Sequence, residues 1–151
     1  MTNLLRSALF TALLVFPLFA SALQPGDVAV IGLYADSPDE TAFVALVDLP
    51  GGTVINITDA GWKSSGEFRS GENHVAWIAP AGGVAAGSVI SVSMSGISNS
   101  GDQIILYAGS STNPTPLFAV NDQGSDWQDD ATSNNNSALP DGLTDGATAV
   151  A

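Results

Sequence analysis

Fifteen acidic residues and no cysteine frame the chemistry open to this chain. Asp36, Asp39 and Glu40 crowd one turn, Ala35 to Glu40 (ADSPDE). Asp59 closes an apolar run, and if that run is a strand it ends in reach of the turn. Loop carboxylates with backbone carbonyls beside them are the hard oxygen donors that Ca²⁺ takes, about six to eight at a time and in flexible geometry. Asp36, Asp39, Glu40 and Asp59 are therefore the candidate metal ligands, and calcium is the one cofactor the residues suggest. A second cluster holds Asp122, Asp126, Asp129 and Asp130. It has neither the alternating acids and sixth-position glycine of an EF-hand loop nor the glycine-rich nonapeptide Ca²⁺ repeat. The plainer reading of both clusters is solvated acid that keeps loops in water.

Other chemistries are less well supplied. His74 is the sole histidine. No G-x-S-x-G elbow accompanies it, so a serine-histidine nucleophile has no sequence support, and one histidine without cysteine does not make a zinc site. Two carboxylates facing each other across a cleft could hydrolyse a glycosidic bond, but scattered acids do not reveal such a pair. Trp62, Phe68 and Trp127 lie in polar stretches. Trp62 and Trp127 are the candidates for stacking on a ligand such as a sugar face. The alternative is that the aromatics plug the end of a β-domain, which is the reading favoured for Phe68.

The elements that would position these residues begin after a leader. Arg6, the apolar run Ala8 to Phe19 and the A-x-A site Ala20-Ser21-Ala22 read as a secretory signal peptide over residues 1–22. The run is short of the ~20 residues that span a bilayer. The chain after cleavage, 23–151, is expected to be a single exported domain with no membrane segment. Loss of Arg6 leaves Lys63 and Arg69 as its fixed cations against all the acids. Such a surface repels nucleic acid and suits metal cations or basic partners. Without disulfides, the core alone must hold the fold.

Seven short apolar runs parted by Gly, Pro and Asp read as strands: 27–34, 42–49, 53–58, 74–79, 88–93, 103–108 and 117–121. Ala42 to Leu49 is apolar at nearly every position and is expected to be a central strand buried on both faces. Gly109 to Pro116 is read as a loop between the last two strands. Residues 122–146 are read as one long polar loop, and Ala147 to Ala151 as the start of a further strand. No stretch carries a capped helical period. The expected fold is an all-β, immunoglobulin-like sandwich of about seven strands behind a signal-peptide helix.

Several phrases resemble a family of bacterial extracellular β-domains, broadly similar in architecture to the lamin-tail fold. They are Gly26-Asp27, Ala42-Phe43-Val44, Gly52-Thr53, Thr58-Asp59, Gly61-Trp62 and Gly71-Glu72. Trp77 with Ala79 to Gly83, Ala86-Gly87, Ser100-Gly101-Asp102-Gln103, Ser137 to Leu143 and Thr148-Ala149-Val150 complete them. The resemblance implies a module of large secreted or surface proteins, with no activity of its own to carry over. The family pattern runs on past Ala149-Val150, so the last strand is expected to be incomplete, leaving an open edge.

These readings converge on a non-catalytic binding or structural module of the extracellular space, the cell surface or the periplasm. Calcium would stabilise it, and its partner would be a surface protein or polysaccharide. A small secreted hydrolase using carboxylates on polysaccharide or phosphoester is the alternative. A truncated remnant with no independent function is the third.

Overall fold

The structure is a computed structural model of the chain and describes residues 22–151. The expected signal peptide and its helix lie, but for Ala22, outside the described residues. Eight strands follow: β1 (Val28–Tyr34), β2 (Glu40–Ala45), β3 (Val54–Thr58), β4 (His74–Ile78), β5 (Val89–Ser93), β6 (Gln103–Ser110), β7 (Asn113–Asn121) and β8 (Ala149–Val150). They form a three-stranded sheet, β1-β2-β5, and a five-stranded sheet, β4-β3-β6-β7-β8. Neighbours are antiparallel except β7 and β8, which pair in parallel through Ala119 and Val120. Among the described residues there is no helix. The fold is the expected β-sandwich.

Period-two alternation explains the space between the sheets. Val28, Phe43 and Val92 from one sheet meet Ile55, Ile57, Ile104, Leu106 and Leu117 from the other, and all are buried. Each such side chain contributes about 1.5–3 kcal/mol on leaving water. Phe43 meets the half-buried Trp77 edge-on, with ring centroids 5.5 Å apart. The amide of Gly26 donates to Leu117 O (2.9 Å), tying the start of the first sheet to the second.

Which strand is buried on both faces differs from the expectation. β2 is central in its sheet, yet only Thr41, Phe43 and Ala45 turn inward. Ala42 and Val44 are half-exposed, and Leu46 beyond the strand is 53% exposed. No described element covers the outer face of this sheet. The strand buried on both faces is β6, where Gln103 to Tyr107 are all enclosed. Ile104 and Leu106 face the inner core. Ile105 and Tyr107 face outward into a second core with Ala60, Trp62, Phe68, Ala119, Ala138, Leu143 and Ala149.

That second core exists because two polar segments lie over the larger sheet. Residues 59–73 supply Ala60, Trp62 and Phe68, and residues 122–148 supply Ala138 and Leu143. The 122–146 stretch is a loop, as expected, but an anchored one. Ser137 is fully buried; its Oγ accepts from Trp62 N (2.8 Å) and donates to Ala138 O (2.7 Å). Ala138 N donates to Trp62 O (2.9 Å) and Ser64 N to Asp130 Oδ1 (2.9 Å). The two segments touch backbone to backbone at Gly61, where a β-carbon would lie 2.3 Å from Asn136 O.

The loop expected at 109–116 is instead a tight hairpin. Ser110 pairs with Asn113, leaving Ser111 and Thr112 as the turn. Pro114 and Pro116 therefore sit within β7, opposite Gly109 and Tyr107. In an antiparallel ladder alternate residues turn their N–H outward. Both prolines occupy that parity, so neither removes a bond to β6.

Candidate functional site

Charge is gathered at one end of the sandwich. Asp59 follows β3, Glu72 precedes β4, Asp102 precedes β6, and Asp39 and Glu40 lie at the start of β2. The antiparallel pairing of β3 with β4 and β6 brings Asp59, Glu72 and Asp102 to the same end, and the 94–97 link, bonded to Asp39 and passing beside Asp59, joins the start of β2 to them. Asp27 and Asp48 are at the other end, in turns where their carboxylates accept Gln24 N (2.7 Å) and Ala86 N (2.9 Å). A groove of about 650 Å³ opens there beside Leu23, Val47 and Val54, lined mainly by apolar atoms with Asp27 and Asp48 on its wall.

Asp59 is the centre of the acidic end. It is 1% exposed. Its Oδ1 accepts Asn73 N (2.8 Å), while Oδ2 has no protein partner. Asn73 is fixed in turn: its Nδ2 donates to Ser95 O (2.7 Å), and its carbonyl accepts Thr58 Oγ1 (2.6 Å). Gly96 has a positive φ of 94°, and a β-carbon there would come 3.1 Å from Asp59 Oδ2 and 2.8 Å from Asn73 Nδ2. Only a residue without a side chain lets the 94–97 link pass this close.

The neighbours of Asp59 are polar and enclosed. Gln103 is fully buried; its Nε2 donates to Asp59 O and to Asn134 O (2.9 Å), and its Oε1 has no partner. Glu72 is half-buried with Oε1 turned inward and unpartnered. Burial, reinforced by the Asp59 charge and eased by Arg69, raises its pKa. Asp102 is 3% exposed, and its two oxygens accept Ser98 N and Gln103 N (2.8 Å each). Burial pushes its carboxyl up to about 6 against those two bonds, with Asp59 and Glu72 adding to the rise. His74 shares a 3.0 Å hydrogen bond with Tyr107 OH through Nδ1; burial lowers its pKa and Asp59 opposes that.

The structure divides the four candidate metal ligands. Asp39 and Asp59 both reach the 94–97 link: Asp39 Oδ2 accepts Ile97 N (3.0 Å) and its carbonyl accepts Met94 N (2.9 Å). Asp36 and Glu40 are exposed, the latter paired in the sheet with Tyr34 and Ser93. Asp39 is thus bound to a loop amide, and the group does not assemble as expected. Among the described residues no three His, Asp or Glu side chains stand together as a metal-holding group. Glu72, Asp102 and Gln103, which do surround Asp59, were not singled out for chemistry by sequence reasoning. All three lie in phrases on which the resemblance rests, Gly71-Glu72 and Ser100 to Gln103, beside Thr58-Asp59.

The two tryptophans also part company. Trp62 is 2% exposed and meets Phe68 edge-on at 5.0 Å. Its ring belongs to the second core over the face of the larger sheet, enclosed from any ligand and away from the end of the sandwich it was expected to plug. Trp127 is half-buried, with Nε1 donating to Asp145 Oδ1 (3.0 Å). Set against family models, curated proteins and solved structures, the chain matches none.

Proposed function

We propose that the protein is an exported, non-catalytic binding or structural module whose acidic end is its working face. The observation that carries this is the placement of charge. Carboxylates from four strand ends meet at one end of a rigid sandwich. Of the two fixed cations, Lys63 is already paired with Glu67 (3.1 Å) and Arg69 Nε donates to Asn134 Oδ1 (3.1 Å). A field of one sign on a fixed scaffold attracts cations and basic partners. The signal peptide read in residues 1–22 and the resemblance to extracellular lamin-tail-like modules support a location outside the cytoplasm. Trp127, half-open beside this end, is the aromatic available to a partner.

A hydrolase reading draws on Asp59 and Asp102, two buried acids of which one sits near 6, in the range of a general acid. Both Asp102 oxygens are spent on backbone amides, and neither carboxylate opens to a substrate-sized cleft. We assign the pair a structural role. Titration of ¹⁵N-labelled protein with oligolysine tests the working face. Amide shifts are expected in 59–73, 94–102 and 122–137, with the turns at Asp27 and Asp48 unmoved. Shifts spread evenly over the surface, or none at all, would overturn it.

A further inference from the structure

We propose that Asp59 Oδ2, Glu72 Oε1 and Gln103 Oε1 are the protein ligands of one divalent cation of the calcium class, with water completing its shell. Three observations lead there. First, all three oxygens are enclosed and without a protein partner, two of them on residues at least 99% buried. Native proteins leave few such groups unmet, and each one asks for an explanation. Second, Asp59 is hydrogen-bonded both to Gln103 and to the residue that follows Glu72. Gln103 Nε2 holds the Asp59 carbonyl, and Asp59 Oδ1 holds the amide of Asn73, next to Glu72. Third, the charges are of one sign. Asp59, Glu72 and Asp102 are all carboxylates, and Asp59 and Asp102 are buried.

The missing partner must therefore satisfy acceptors and neutralise carboxylates at once, which a cation does and an apolar group does not. The donors are all oxygen, which excludes the softer metals that take nitrogen and sulfur. Supplied from loops and strand ends, and with an amide oxygen among them, they suit calcium's flexible shell better than the strict octahedron of magnesium. The shell differs from the one expected from sequence: it keeps Asp59 and replaces Asp36, Asp39 and Glu40. This inference deepens the reading of the acidic end as the working face and rests on it for location alone.

Thermal melts in CaCl₂ and in EDTA, with calorimetric titration of Ca²⁺, provide the test. Calcium should raise the melting temperature and bind at one site per chain, because a ligand of the native state alone stabilises it. Asp59→Asn and Glu72→Gln keep an oxygen and remove the charge. Since an outer-shell partner alone is worth about tenfold to a hundredfold in metal affinity, each should weaken binding by at least about tenfold. In EDTA the same variants should melt no lower than wild type, being relieved of like-charge repulsion. Replacing Asp36 and Glu40 by Asn and Gln should leave calcium binding unchanged. No response in wild type, or an equal response in Asp59→Asn, would sink the proposal in favour of ordered water at these oxygens. Because oligolysine reports on the surface and calcium on the enclosed oxygens, the two readings fail separately.

Discussion

β2 and β6 each have a strand on both sides in their sheets, and they meet different fates. AFVALVDL looks like the better core strand, yet within β2 only its inward Phe43 and Ala45 are buried, and Ala42 and Val44 on the outer face are half-exposed. QIILYA follows Asp102, opens on polar Gln103 and runs into a hairpin, yet Gln103 to Tyr107 are enclosed on both sides. The difference is not in the strands. It lies in residues 59–73 and 122–148, which cover one sheet and leave the other bare. An apolar run shows what a strand can bury; what buries it is decided elsewhere in the chain.

The comparison breaks most visibly by truncating the two faces of β6 beside one face of β2. Leu106→Ala on the inner face and Ile105→Ala on the outer face should each cost about 3 kcal/mol, as deep core truncations do. Val44→Ala, half-exposed on β2, should cost about 1 kcal/mol or less. Chemical denaturation of the three variants reads this directly. If Ile105→Ala behaves like Val44→Ala, the second core is not a core. A finer probe targets the joint that holds the cover down. Ser137→Ala removes both the acceptor for Trp62 N and the donor to Ala138 O, leaving buried groups unmet, and should cost about 1–3 kcal/mol. Faster hydrogen exchange confined to 59–73 and 122–148 would mark the cover as the part released. Unchanged stability would mean the cover is held without it.

The smallest effect concerns pH. Burial holds the Asp102 carboxyl at about 6 in the folded chain, against 3.8 when free. Between those values the folded chain keeps a proton that the unfolded chain releases. The associated stability is full at low pH and is lost as pH rises through about 6. Asp102→Asn does not titrate, so its melting temperature relative to wild type should climb from about pH 4 to pH 7. His74, whose pKa burial lowers, acts in the opposite sense as pH falls, but it is common to both proteins and cancels. A difference flat in pH would show that Asp102 ionises freely.

Strand placement was legible because it follows from local alternation and turn residues: each of the seven expected runs overlaps an observed strand. The hairpin at Ser111-Thr112 was not, because Pro114 and Pro116 read as breakers until their parity in the ladder is known. The acidic site was half legible. Asp59 was found, but its neighbours Glu72 and Gln103 come from segments 13 and 44 residues away, and only the pairing of β3 with β4 and β6 joins them. Trp62 was ambiguous for the same reason. Its surroundings in sequence are polar, and the residues that bury it, Leu143 and Ala138 among them, are some eighty positions downstream.

The paired prolines of β7 have a consequence for how molecules of this protein meet. β8 occupies the free edge of β7 only at Ala119 and Val120. Along the rest of that edge Pro114 and Pro116 place ring carbons where a foreign strand would look for amide donors. A fibre grown strand upon strand cannot start there. Among the described residues, the edges left for backbone pairing between sandwiches are those of β1 and β5, which bound the uncovered sheet, of β4, whose exposed Ile78 marks one border of the covered sheet, and of the two-residue β8 at its other border.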